Sequence, residues 1–217
     1  MNQTGRHRLR ITFAREETIK YISHLDLARA WERALRRAGV PLAYSQGFNP
    51  RPKMAFAAAL PVGYISSAEV VDVFLEKSLS PLDLAHRLSG VLPPGLRVIS
   101  IEEVEPGLPA LQSQVRAAEY RVRVPWERDR ADLEARVAAL LAAATLPRER
   151  VHKGQRRVYD LRPLVEALRV EAEGDDGYRL WMRLSHGSEG TARPEDVLDA
   201  LGLTDVTFSV ERTALRV

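Results

Sequence analysis

Twice along its 217 residues the chain spells one succession of hydrophobic patterns: strand, helix, two strands, helix, strand. In the first half, residues 8–14 (RLRITFA) alternate polar and apolar side chains, the period of a strand with one buried face. Ser23, with Asp26 three residues on, predicts a helix start, because the hydroxyl accepts from a free backbone N–H and the carboxylate reaches back. Leu25, Ala28, Trp31, Leu35 and Ala38 then recur at helical spacing, and Gly39 ends the helix. Strands are expected over 41–45, 54–60 and 70–75, a helix opened by Ser80 with Pro81 at its first position, and a strand over 96–104. Residues 105–116 (EPGLPALQSQVR) interrupt the pattern, which then restarts. A strand is expected over 119–124, a helix over 130–144, a short helix over 161–168, a hairpin of 168–173 and 178–184 about GDDG, a short helix over 193–201 and a strand over 206–215. This order is that of the split βαβ unit. The expected fold is α+β, two ferredoxin-like halves whose antiparallel sheets carry helices on one face. Its domains are 1–105 and 118–217, joined by a linker over 106–117, and the second half carries a basic insertion after its first helix. The residues of the halves do not repeat, so the likeness between them is one of pattern.

The chain has no cysteine, which excludes disulfides, thiolate-held zinc, iron–sulfur clusters and a thiol nucleophile of its own. Its five histidines are scattered, with no HxH or HExxH pair, so no metal site is predicted. No apolar run reaches the ~18 residues of a membrane span, and the first residues lack the apolar core of a signal peptide. A cytoplasmic protein without membrane contact is expected.

The net charge is only +3, so the placement of the cations matters more than their sum. Between Lys20 and Lys53, seven Lys or Arg face two acids; Arg29, Arg33, Arg36 and Arg37 fall mostly on the helix side turned from the apolar stripe. This is either a solvated helix face or an electrostatic footprint for phosphates, whose oxygens suit the guanidinium fork. A second cluster, residues 148–163 (RERVHKGQRRVYDLRP), carries Lys153, Arg156 and Arg157 at a predicted hairpin tip or loop. Flanked by the expected strands over 41–45 and 54–60 lies YSQGFNPRPK, residues 44–53. Pro50 and Pro52 stiffen it and remove two N–H donors, and Gly47 admits backbone geometry closed to other residues. It is either a rigid packing loop with Phe48 buried, or a binding loop that holds out Gln46, Asn49, Arg51 and Lys53. In the second case RNA bases stack on Tyr44, Phe48 or Tyr159 while cations hold the backbone. A metal-free cleavage set is also conceivable, with His24 as base, Tyr21 as acid and Lys53 as phosphate clamp.

Tyr21–Leu27 (YISHLDL), residues 32–38 (ERALRRA), YSQGFNPRP and residues 60–63 (LPVG) resemble the bacterial radical SAM-linked domain of unknown function. That family occurs as a separate protein or joined to the end of a radical SAM protein. KGQRRVYDLRP resembles its basic segment ahead of a DLRP-like turn, whereas Asn49 stands where the family often has histidine. The resemblance implies a radical SAM protein as partner, which would hold the SAM and the iron–sulfur cluster, and no cofactor in this chain. A weaker likeness, to the RAMP-type endoribonucleases that process CRISPR repeat RNA, implies catalysis by His24; for their glycine-rich loop this chain offers only residues 187–190 (GSEG). Three functions follow as expectations: an RNA-binding or substrate-presenting accessory protein of a radical SAM partner, a metal-independent endoribonuclease, and a protein–protein adaptor without RNA affinity.

Overall fold

The computed structural model describes residues 7–105, 107–126, 129–152, 155–174, 177–187, 190–203 and 207–217. It divides into two compact units, Met1–Val115 with Val217, and Arg116–Arg216. Both mix helices with antiparallel sheet.

The first unit runs β1 (His7–Arg15), α1 (His24–Arg37), β2 (Met54–Phe56), β3 (Ile65–Leu75), α2 (Pro81–Leu88), β4 (Leu96–Glu103) and the single turn α3 (Leu111–Gln114). Its sheet order is β4-β1-β3-β2, every pair antiparallel. Period two sends Leu9, Ile11 and Phe13 of β1 and Val71, Val73 and Leu75 of β3 to one face. There they pack with Leu27, Trp31 and Leu35 of α1 and Leu84 and Leu88 of α2. On the other face the directly opposed pair Arg10 and Asp72 is joined by two hydrogen bonds, of 2.8 and 3.2 Å. Asp72 is fully buried, and Arg8 is a second cation beside it at 3.6 Å.

The second unit runs β5 (Ala117–Val124), α4 (Arg130–Ala142), β6 (Pro147–His152), β7 (Gln155–Asp160), β8 (Val165–Gly174), β9 (Gly177–Gly187), β10 (Gly190–Thr191), α5 (Pro194–Ala200) and β11 (Ser209–Arg216). Its sheet order is β8-β9-β5-β11, again antiparallel, with β10 on the end of β9; β6 and β7 form a separate ribbon. Leu133, Val137 and Leu140 of α4 are buried, as are Leu180, Met182 and Leu184 of β9.

Several expected elements differ. Residues 41–45 make only the isolated bridges Leu42↔Leu75 and Tyr44↔Pro52, and β2 is three residues long. The prolines at 41, 50 and 52 have no N–H to extend a ladder. β3 begins at Ile65, five residues ahead of the expected start. The segment expected as linker holds α3, whose Leu111 is buried. Residues 161–168, expected as a helix, are instead a 3-10 turn (Arg162–Leu164) leading into β8. Asp160 closes that turn by accepting from the backbone N–H of Arg162 at 3.0 Å and of Leu146 at 2.7 Å. The hairpin about GDDG pairs down to Gly174↔Gly177; its tip, 175–176, lies outside the described residues, as does 206 at the expected start of the last strand. Among the described residues no helix is long and apolar enough to cross a membrane.

Candidate nucleic-acid interface

The first basic cluster is organised by the start of α1. The Ser23 hydroxyl accepts from the Asp26 N–H at 3.1 Å and donates to the Asp26 carboxylate at 2.7 Å, so the acid reaches the hydroxyl of its cap. That hydrogen bond, then one from Arg29 at 3.1 Å, holds the Asp26 carboxyl below its ordinary value. Arg29 is thereby paired. Ser23→Ala is expected to destabilise the first unit by about 1 kcal/mol, read as a lower Tm.

Farther along α1, Arg36 pairs with Glu32 at 2.9 Å across one helical turn, and Arg37 donates to the Val91 carbonyl at 3.0 Å. Arg33 is exposed and makes no ion pair or hydrogen bond among the described residues. Arg33, Arg36 and Arg37, with Ala30 and Pro93, line an open groove of about 540 Å³. No carboxylate lines it, so it suits an anion.

The 44–53 loop hangs from the sheet. Ala43 donates to the Phe74 carbonyl at 2.8 Å, Phe74 to that of Lys53 at 3.1 Å, and Lys53 to that of Ala43 at 2.8 Å. One step out, the Ser45 N–H donates to the Arg51 carbonyl at 2.8 Å and the Arg51 N–H to the Ser45 hydroxyl at 3.0 Å. These bonds close the loop and leave residues 46–50 exposed at its tip. Gly47 there takes φ +129°, which disfavours any side chain although the space around it is open. Phe48 is 105% exposed, which overturns the expectation of a packing loop around a buried phenylalanine. Pro52 is buried. The Arg36 guanidinium lies 5.8 Å from the Tyr44 ring, so one face of that ring is taken and the loop base meets the arginine helix. The Arg51 and Lys53 side chains form no ion pair among the described residues, and Gln46 and Asn49 flank Phe48 in the open.

Tyr21, His24 and Lys53 do not come together as a hydrogen-bonded set. The His24 ring packs edge-on against Phe56, 5.1 Å between centroids. Tyr21 is 73% exposed, with the Lys20 ammonium 5.1 Å from its ring. No hydrogen bond or ring contact joins any two of the three. Among the described residues, no cluster of three or more histidines and carboxylates could hold a metal ion.

In the second unit the basic segment is the ribbon of β6 and β7. Lys153 at its tip lies outside the described residues, as do 188–189 of the GSEG stretch. Arg157 is exposed and makes no ion pair among the described residues, and Arg156 reaches Glu149 at 3.7 Å. Tyr159 is not a free platform. The Arg150 guanidinium lies 4.9 Å from its ring centroid and also pairs with Asp196 at 2.6 Å. Burial, then the charge of Asp196, raises the Tyr159 hydroxyl above its ordinary pKa. Arg148 reaches Asp199 at 3.3 Å, so this side of the ribbon is tied to α5. Sequence reasoning passed over Trp181 on β9 and the arginines around it, though the alternation RLWMRL was there to read.

A family model matches residues 8–194; the family is described as an uncharacterized protein conserved in bacteria (DUF2344). No curated protein matches the chain. Among solved structures it is similar to a chain of a Cbf5-Nop10-Gar1 complex, with TM-score 0.54 and 10% identity over 98% of this chain and 49% of that one. It is also similar to a chain of an H/ACA RNP bound to a substrate RNA containing 2'-deoxyuridine, with TM-score 0.44 and 8% identity over 90% of this chain and 47% of that one. The chain thus spans about half the length of both. At these identities the first likeness is one of fold.

Proposed function

The chain belongs to the bacterial family DUF2344, and we propose that it is a cytoplasmic RNA-binding accessory protein whose main contact is the first unit's arginine groove together with the 44–53 loop. What supports this is Phe48. Of the three aromatic residues placed to stack on bases, Tyr44 and Tyr159 each carry an arginine over the ring, whereas Phe48 is open at the tip of a hydrogen-bonded loop. In the same loop Arg51 and Lys53 form no ion pair among the described residues, and Arg33 lines the groove of α1 without one, the arrangement of a stacking platform with a backbone track. The shared strand orders support reading both units as ferredoxin-like halves. The resemblance of YISHLDL and YSQGFNPRP to the radical SAM-linked domain supports a radical SAM protein as the partner, to which this chain presents RNA.

The test is binding of a labelled single-stranded RNA, followed by fluorescence anisotropy. Phe48→Ala removes one base–aromatic stack, which is worth about 1–3 kcal/mol, and is expected to weaken binding by about tenfold. Affinity for a blunt duplex, which offers no splayed base, is expected to change less than twofold. Identical single-strand affinity for wild type and Phe48→Ala would remove the loop from the interface, and no RNA binding at low salt would sink the proposal. RNA recovered shorter than it was added would instead favour a nuclease.

A further inference from the structure

The sheet of the second unit has a face turned away from its apolar core. Along β9, Leu180, Met182 and Leu184 are buried on the core side, so Arg179, Trp181 and Arg183 fall on the other. The register sets arginines around the tryptophan. Arg121 of β5 is directly opposite Trp181 on one side and Arg169 of β8 on the other, while Arg179 and Arg183 are its same-face neighbours along the strand. The Arg169 guanidinium lies 3.7 Å from the Trp181 ring centroid, which is stacking distance, and that of Arg183 5.4 Å.

Two carboxylates hold this array in place. Glu171 accepts from both Arg121 and Arg169, each at 2.9 Å. Glu119 takes Arg183 at 3.0 Å and Arg216 at 2.6 Å. Burial by itself would raise the Glu119 carboxyl, yet the hydrogen bonds from Arg216 and Arg183 hold it below its ordinary value. Each glutamate is shared between two arginines, so each trio keeps a positive charge, and the arginine side chains stay well exposed, at 54% for Arg169 and 58% for Arg216. Arg179 is exposed and has no ion-pair partner among the described residues. Arg123 and Glu211, on neighbouring positions of this face, add one charge of each sign, and Glu166 lies toward one end beside Ser185.

We propose that this face is a second binding surface for single-stranded RNA, with a base stacked on the outer plane of the Arg169 guanidinium, itself stacked on Trp181, and phosphates on Arg179 and Arg183. A planar guanidinium accepts a base on its free side as an aromatic ring does, and the indole beneath it adds a cation–π attraction that fixes its plane. Glu171 holds the same guanidinium from its edge, so the platform exists before RNA arrives. A duplex hides its base faces and would meet only the charges. The surface shares no residue with the 44–53 loop, so the two stand or fall separately.

The full chain is crosslinked to a single-stranded RNA carrying 4-thiouridine and digested with trypsin, and the peptide that carries Arg169 is read, residues 158–169, or 158–179 where an adduct on Arg169 blocks cleavage after it. An RNA adduct on that peptide is expected, and it is expected to persist in Phe48→Ala. Arg169→Gln with Arg179→Gln is expected to lower affinity more than tenfold at about 0.15 M salt, mostly through the lost stack, and to flatten the plot of log K against log salt by about 0.7, the one single-strand phosphate contact of Arg179. Arg179→Gln alone breaks no ion pair among the described residues and is expected to lower affinity about threefold. Arg169→Lys keeps the charge but not the plane. It is expected to weaken single-stranded RNA several-fold and inorganic polyphosphate, which has no bases, not at all. Equal weakening of both would overturn the stacking. Absence of the adduct, with unchanged affinity in both glutamine variants, would overturn the surface.

Discussion

The protein carrying Arg33→Gln, Arg36→Gln, Arg51→Gln and Lys53→Gln is expected to bind single-stranded RNA about a hundredfold more weakly than wild type at about 0.15 M salt. Each lost phosphate contact on a single strand flattens the dependence of log K on log salt by about 0.7, so four flatten it by about 2.8. Extrapolated from about 1 M, where the electrostatic part vanishes, to about 0.15 M, that slope corresponds to roughly two decades of affinity. The fold is expected to survive. Arg33 and Arg51 are exposed and make no ion pair among the described residues, and the Arg36–Glu32 pair across a helical turn is worth only a few tenths of a kcal/mol. The measurement is a salt titration by anisotropy with Tm as the control. A variant that keeps both its affinity and its salt slope would show that these cations are only solvated surface. A variant that loses affinity at an unchanged slope would show that the contacts are not with phosphates.

What could be read in advance divides by the reach of the interactions involved. The start of α1 was legible because Ser23 and Asp26 are three residues apart and settle their hydrogen bonds alone. Of the expected stripe, Trp31 and Leu35 are buried, whereas Leu25 is 66% exposed and Leu27, outside that stripe, is buried instead. The start of β3 was not legible. Ser66 and Glu69 are buried polar residues there, so the stretch lacks the alternation that marks a strand, and only its pairing across the sheet makes it one. Residues 161–168 looked helical because a short apolar run fits either period. The pairing of Val165 with Leu184 decided it, from nearly twenty residues away.

The candidate site divides in the same way. The composition of YSQGFNPRPK marked a loop with a special backbone, but whether Phe48 points in or out depends on Ser45 meeting Arg51 across it. Tyr159 looked free because the residues that occupy it are remote. Arg150 comes from the facing strand, and Asp196, which holds Arg150 in place, comes from α5. Trp181 went unread for the converse reason. Its own strand shows the alternation plainly, whereas Arg121 and Arg169 become its neighbours only through the registers of β5 and β8. Charge clusters in sequence were therefore a fair guide to the helix face and a poor one to the sheet face.

Trp31→Ala is expected to destabilise the first unit by about 3–5 kcal/mol, the cost of emptying a large aromatic site in a closed core. Trp31 is fully buried on α1, edge-on to Phe13 with 4.9 Å between ring centroids, in a core built from the sheet, α1 and α2. Trp31→Phe is expected to cost less than about 1.5 kcal/mol. The indole N–H donates to no described residue, so phenylalanine forfeits packing area but breaks no hydrogen bond. Tm and denaturant midpoints measure both, and a phenylalanine variant as unstable as the alanine one would show that the N–H has a partner. The pair also separates scaffold from interface. α1 carries Arg33 and Arg36, whereas the 44–53 loop is held by backbone bonds to Phe74 of β3. In Trp31→Ala below its Tm, the salt slope of RNA binding is therefore expected to fall as the arginine helix loosens, while the penalty of adding Phe48→Ala stays what it is in the wild type. If the alanine at 31 abolished that penalty as well, the loop would owe its shape to the helix rather than to the sheet.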